Sequence, residues 1–200
     1  MKLVATMMLS LDGVHEGPGG QQENRPGFDR GGWVAPYRDD ESWQFLVSML
    51  ERADALLLGR KTWQNFEGYW PHHDGGDPVS HGINVLPKYV PSTTLKAPGW
   101  HTHVIDGDVE AALRELKAKP GRDLQLHGSG QLFRWLLERD LVDELNLRIY
   151  PVVVGEGLRL FPERGQTHNL ELVESLSTPS GVMLQTYRPA GRATFGNAGE

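Results

Sequence analysis

Leu57-Leu58-Gly59-Arg60-Lys61-Thr62-Trp63 is the stretch on which the fold turns. The apolar run from Ala53 to Leu58 reads as a short buried strand, Gly59 turns the chain, and Arg60 to Phe66 reads as a short helix. A strand that feeds a helix in this way is half of a crossover unit, and crossovers join parallel strands. Backbone amides at a helix start bind anions, and Arg60 adds a two-pronged contact suited to phosphate. An ordinary strand–helix junction with surface charges is the plainer reading of the same residues.

Working outward toward the N-terminus, Lys2 to Leu11 reads as a buried first strand that ends at the turn signal Asp12-Gly13. Gly13 to Pro36 is polar and glycine-rich, with Pro18 and Pro26 inside it. A segment of this length without its own elements is a lid or binding loop, or else a disordered insertion. Asp39-Asp40-Glu41-Ser42 then precedes Trp43, Phe45, Leu46, Met49 and Leu50, the spacing of one helix face with acids at the positive end of its dipole.

Toward the C-terminus, Gly68 to Gly82 reads as a second long loop, and Ile83 to Val90 as a strand weakened by Pro87. Thr102 to Ile105 and Asp123 to His127 read as strands. Val109 to Lys119 reads as a helix stopped by Pro120-Gly121, and Leu132, Phe133, Leu136 and Leu137 mark another. Glu144 to Val154 is a long β-type run. Asn169 to Leu176 and Val182 to Tyr187 flank Pro179-Ser180-Gly181 as an antiparallel hairpin. This order predicts an α/β fold with one mixed, mainly parallel sheet and an antiparallel C-terminal hairpin. Residues 1–188 form a single domain in this reading, and 189–200 a flexible tail.

Composition removes several classes of function. The 200 residues carry a net charge of −6, which disfavours nucleic-acid binding through a broad basic face. With no cysteine there is no disulfide framework, cysteine zinc site, iron–sulfur cluster or thiol nucleophile. No apolar stretch approaches a membrane span, and the first residues lack the basic region and cleavage site of a signal peptide, so a soluble, cytoplasmic protein is expected.

In such sheets ligands collect beyond the carboxyl ends of the strands. Two candidate points lie there: Gly59 to Trp63, and Leu126-His127-Gly128-Ser129-Gly130-Gln131-Leu132. The second is not a full dinucleotide fingerprint, because Phe133 stands at the third glycine position. Nor is it a nucleophile elbow, because His127 stands at the first glycine of that motif. Together the two points suit one long anionic ligand lying across neighbouring strand ends. No phosphate-binding loop with lysine is present, which disfavours triphosphate hydrolysis. His72, His73, Asp74, Asp77 and His81 match no metal-ligand spacing, and a solvated loop is the favoured reading.

Gly59-Arg60-Lys61-Thr62-Trp63 after an apolar strand resembles the cofactor-binding segment of dihydrofolate reductases. Ser10-Leu11-Asp12-Gly13, Leu141-Val142-Asp143-Glu144-Leu145, Pro151 to Gly157 and Leu160-Phe161 resemble the reductase domain of the bifunctional riboflavin-biosynthesis deaminase/reductase, here in stand-alone form. The resemblance covers about residues 2–188. It implies a three-layer dihydrofolate-reductase-like fold, NADPH as hydride donor and a pterin-like or aminopyrimidine substrate. The nearest named activity is 5-amino-6-(5-phosphoribosylamino)uracil reductase. It also implies that Gly59, Arg60 and Thr62, then Ser92 and Thr93, then Gly128, Ser129 and Gly130 contact the cofactor. Thr93 stands where the family often has arginine.

For the proton that accompanies hydride transfer, Asp12 at a strand end and Asp40 near the helix start are the candidates, and a donor carboxylate is expected to have a raised pKa. Asp12 is equally suited to forming the Asp-Gly turn. Trp33 and Trp43 are expected to wall the substrate pocket, and strands of the C-terminal half to make a homodimer. A nucleotide-binding module without turnover and a partner-binding protein using its long loops are the rival readings.

Overall fold

The computed structural model describes every residue of the chain except Asn24, Asp74, Ala97, Ala198 and Glu200, and only the backbone of Gln22. The first strand, β1 (Lys2–Ser10), is buried along nearly its whole length. Leu3, Ala5, Met7 and Leu9 face one core while Val4, Thr6 and Ser10 are buried on the other side. A strand covered on both faces belongs in the middle of a sheet. It lies there, between β5 (Asp123–His127) and β6 (Glu144–Tyr150), parallel to both.

The remaining strands are β2 (Ala53–Leu57), β3 (Lys88–Pro91), β4 (Thr102–Ile105), β7 (Leu170–Ser177) and β8 (Met183–Pro189). They complete an eight-stranded sheet in the order β4-β3-β2-β5-β1-β6-β8-β7. It is parallel from β4 to β6, and the hairpin β7–β8 is antiparallel. This is the expected mixed sheet. Pairing runs slightly past the hairpin into the expected tail, since Asn169 N donates to Gly191 O and Ala190 N donates to Asn169 O.

Helices cover both faces. On one face α4 (Val109–Ala118) and α5 (Gly130–Leu137) bury Leu113, Leu116, Phe133 and Leu136 against β1, β2 and β5. On the other, α1 (Asp40–Glu51), α2 (Arg60–Glu67) and α3 (Pro78–Val85) bury Val47, Trp63, Val79 and Ile83. Three helices start with an aspartate cap: Asp39 accepts from Ser42 N, Asp77 from Val79 N and Ser80 N, and Asp108 from Ala111 N. Each satisfies amides that a helix start otherwise leaves open.

Three expectations need correction. Gly68 to Gly82 is not one loop, and Ile83 to Val90 is not one strand. Residues 78–85 form α3, because Asp77 caps the turn and Pro78 fits the first helical position. Pro87 then confines the strand to Lys88–Pro91. The segment Gly13 to Pro36 is neither a disordered insertion nor structureless. Val14 bridges Arg159, Trp33 Nε1 donates to Glu16 O (2.8 Å), and Arg30 Nη1 donates to Val154 O (2.6 Å). Val14, Phe28 and Trp33 join Tyr150, Val154 and Val182 in a third small core. Third, β6 ends at Tyr150 and not at Val154, because Pro151 leaves the ladder.

Candidate functional site

Strands β2 and β5 are neighbours, so the turns that follow them come together at their carboxyl ends. Gly59 N donates to Ser129 Oγ (2.7 Å), and the hydroxyls of Ser129 and Thr62 lie 2.7 Å apart. A Cβ built on Gly59 would stand 2.6 Å from that Ser129 Oγ, so only glycine permits the approach. Ser129 holds a left-handed conformation at φ 63, and Gly128 before it is also positive, at φ 62. Two successive residues of this kind re-aim the chain into α5. The helices that begin here, α2 and α5, have no side-chain cap, unlike α1, α3 and α4. Their first amides are left for an outside acceptor.

Arg60 opens α2 and reaches across to Thr94 Oγ1 (2.6 Å). Ser92 Oγ accepts from the amides of Thr94 and Leu95, which holds the turn after β3, and Thr93 beside it is exposed. Gly130 is pressed by a ring: a Cβ there would stand 2.5 Å from His15 Cε1. His15 Nε2 is buried with no hydrogen-bond partner, and burial and the Arg134 charge lower its pKa. The eight residues expected to contact a cofactor thus occupy one continuous strip over the ends of β3, β2 and β5. The strip fits a dinucleotide diphosphate, since it offers two uncapped helix starts, a cation and a glycine cradle.

Beside this strip, over the ends of β1 and β6, lies a cavity of about 620 Å³. Tyr37, Trp43, Tyr69, Trp70 and Tyr150 give it aromatic walls, and Met8 and Arg148 reach it from the sheet. Trp43 is among its lining residues. Trp33 is not; it is 7% exposed and meets Tyr150 edge-on at 5.5 Å, behind the wall. His72 and His73 also line the cavity, with His73 Nδ1 donating to Tyr69 O (2.7 Å). Asp77 is used as a cap, Asp74 lies outside the described residues, and no group of three potential metal ligands occurs among the described residues.

The two candidate proton donors are placed otherwise than expected. Asp12 does form the turn. Its carboxylate takes the Ser10 hydroxyl (2.6 Å) and the amides of Val154 and Gly155 (both 3.0 Å), with Arg159 at 3.7 Å. Burial pushes its pKa up, but these hydrogen bonds outweigh burial and hold it at about 2. A carboxyl so held is ionised and engaged, the opposite of a poised acid. Asp40 is exposed and is not among the residues lining the cavity. The described acids that do line it are Asp39 and the capping Asp77. Asp39 is the one beside the candidate Asp40. Burial acts to raise its pKa, but the hydroxyls of Ser180 and Thr178 and the amides of Ser42 and Ser180 hold it well below the usual carboxylate range.

Reading the residues alone overlooked Arg148. It is 6% exposed, on the face of β6 that also carries Asn146 and Tyr150. The alternation of Glu144, Asn146 and Arg148 with Leu145, Leu147 and Ile149, which puts polar residues on one face of a strand, was the available signal.

The likeness to known proteins runs along the whole architecture. The uncharacterized protein YyaP of Bacillus subtilis (strain 168) is 29% identical over 189 residues, covering 93% of this chain and 94% of that protein. A putative riboflavin biosynthesis protein from Shewanella sp. PV-4 superposes with a TM-score of 0.72 at 21% identity, over 95% of this chain and 99% of that one. A dihydrofolate reductase from Enterococcus faecalis, solved with NADP(H), superposes with a TM-score of 0.59 at 19% identity, over 94% and 96%. These two structures establish the dihydrofolate-reductase-like fold. Residues 1–184 match the family described as the RibD C-terminal domain, so the chain belongs to that family of riboflavin-type reductase domains.

Proposed function

We propose that this protein is an NADPH-dependent oxidoreductase that reduces a ring C=N bond of a pterin-like or aminopyrimidine substrate. The observation that carries the reading is the adjacency of two sites. The glycine and hydroxyl strip joined by the Ser129–Thr62 contact lies at the ends of β2 and β5, and the aromatic cavity is reached from the next strands in the sheet, β1 and β6. NADPH, when bound, supplies the hydride. The residues of this chain do the rest. Gly59, Arg60, Thr62, Ser92, Thr93 and Gly128 to Gly130 hold the dinucleotide, with Arg60 toward a phosphate. Trp43, Tyr37 and Tyr150 hold the ring and exclude water from its faces. As hydride reaches the ring carbon, a proton must reach the ring nitrogen. Asp12 and Asp39 are ionised and occupied by donors, so a water entering at the cavity mouth brings the proton.

That same lack of an unengaged carboxyl among the described lining residues favours, as the second reading, a nucleotide-binding module without turnover. One titration separates the two. NADPH and NADH are titrated into the full chain, followed by nicotinamide fluorescence. Nicotinamide absorbance is then followed on adding pterins and aminopyrimidines. Binding with oxidation supports the reductase, and binding without oxidation by any heterocycle supports the module. Arg60→Ala should weaken NADPH by about 1–3 kcal/mol, and NADH less if Arg60 faces the 2′-phosphate. Equal losses would move Arg60 to the diphosphate. The working assembly in this proposal is a homodimer.

A further inference from the structure

A guanidinium is held inside the cavity without an ion-pair partner. Arg148 is 6% exposed, lines the cavity, and has no carboxylate within ion-pair distance among the described residues. Its Nε is buried without a hydrogen-bond partner, and its nearest ring is Tyr150, 5.8 Å from the guanidinium carbon to the centroid. Burying an unpaired charge is among the costliest placements in a protein interior. Apolar residues would fill this position of β6 at no such cost.

The surroundings compensate the charge only in part: burial disfavours it and outweighs Tyr150 and the Asp39 carboxylate, which both favour it. Register places Met8 opposite Arg148 on β1, and Asn146 opposite Thr6, with His127 opposite Thr6 on the other side. Asn146 Nδ2 and His127 Nε2 are likewise buried without partners. His127 is pushed down to about 4 by burial and by the Arg148 charge. Among the described residues two carboxylates border the cavity, and both already hold donors: Asp39 accepts from Ser42 N and Ser180, Asp77 from Val79 N and Ser80. Among the described lining residues, Arg148 and the Ser42 hydroxyl are the buried polar groups left with an unpartnered atom, and of these two only Arg148 carries charge.

We propose that Arg148 selects a substrate bearing a planar, singly charged oxyanion on its ring system, which it grips with the forked guanidinium. The aromatic walls take a flat ring, and a carboxylate or an ionised ring oxygen lies in that plane and matches the fork. The inference rests on the reductase reading for the identity of the ring, and it adds the charge. The oxyanion comes either from a carboxylate substituent or from the ring itself.

The test is binding, followed by quenching of tryptophan fluorescence from Trp43 and Trp70, in the full-length chain at neutral pH. Pterin-6-carboxylate is compared with neutral 6-hydroxymethylpterin, and anionic barbiturate with neutral uracil. Preference for the anion in the first pair identifies a carboxylate substituent, and in the second pair a ring oxyanion. In Arg148→Met, the preferred anion should lose about 10- to 100-fold in affinity while its neutral counterpart is little changed. The unliganded variant should melt higher than the parent, because a buried unpaired charge is gone. Arg148→Lys, which keeps charge but not the fork, should retain part of the preference and covers the case in which the methionine variant does not fold. Equal binding of both members of both pairs by the parent overturns the proposal, as does a variant that loses anion and neutral ligand together. Anion-selective binding without any hydride transfer leaves the inference standing and removes the reductase reading.

Discussion

The hydroxyls of Thr62 and Ser129 lie 2.7 Å apart across 67 residues of chain. The contact ties the start of α2 to the turn before α5, and Gly59 N joins it through the same Ser129 oxygen. A phosphate held by both helix starts needs them at a fixed separation, and this small hydroxyl cluster is what fixes it.

Thr62→Val and Ser129→Ala should therefore be coupled. A double-mutant cycle on unfolding free energy should give an interaction of about 0.5–1.5 kcal/mol. The strain of alanine at the left-handed position of Ser129 is present in both arms and cancels. Each single variant should also bind the dinucleotide more weakly than its stability loss explains. Additive effects would mean that the hydroxyls are merely close.

Asp12→Asn should act on stability and not on proton supply. The side chain holds the amides of Val154 and Gly155 with a pKa lowered to about 2. Its contribution is full above the unfolded value near 3.8 and is lost as pH falls through about 2. The variant should be less stable by about 1–3 kcal/mol at neutral pH, with the difference closing in acid. Its turnover per folded molecule should fall far less than the ~10²–10⁴-fold expected when a proton donor is removed. Chemical denaturation at several pH values, beside steady-state rates, measures both.

Lys88 offers a second pH signature. It is fully buried, donates to Asn84 O (2.8 Å) and sits 4.0 Å over the Trp100 ring. Burial lowers its pKa to about 8. Between about 8 and 10.5 the unfolded chain then holds a proton that the folded chain has released, so this group favours folding more as pH rises through that window. The stability of the parent relative to Lys88→Met should increase by up to about 3 kcal/mol across it. A difference independent of pH would show that the folded protein keeps the ammonium as readily as water does.

The edge strand β7 exposes Leu172, Val173 and Leu176, at 52%, 43% and 51%. An exposed apolar edge is a place for another chain to pair. Sedimentation at micromolar concentration should show a species of twice the 22.3 kDa chain mass, and Leu172→Asp with Leu176→Asp should convert it to the single chain. A single chain in the parent would contradict the dimer.

The strands of the core were legible because each carries a local mark. Ala53 to Leu58 is apolar and closed by Gly59, and Asp123 to His127 is closed by Gly128 and Ser129. Helix α3 was missed although Asp77-Pro78 is a helix start, because His81 and Gly82 in its middle weakened the helical pattern. The cofactor strip could be read because glycine, cation and hydroxyl sit next to one another in sequence. The turn at Asp12 was one of its two readings, but its hold on amides 142 residues and more away could not be read. Trp33 was placed in the pocket by its type alone. Its indole is instead drawn behind Tyr150 by Glu16 O, a contact that no periodicity announces.

The central position of β1 has a consequence for synthesis. It precedes the other seven strands of the sheet in sequence, yet it pairs Lys2 with Asp123 and Ser10 with Tyr150. At roughly 5–20 residues per second, a run as apolar as Leu3 to Leu9 waits on the order of 10–30 s for its neighbours. An unpaired apolar strand is exposed to cotranslational aggregation over that interval. Slow elongation near the start of the message would prolong exposure least, and pauses between residues 20 and 120 most, so codon changes in that interval should govern the soluble yield.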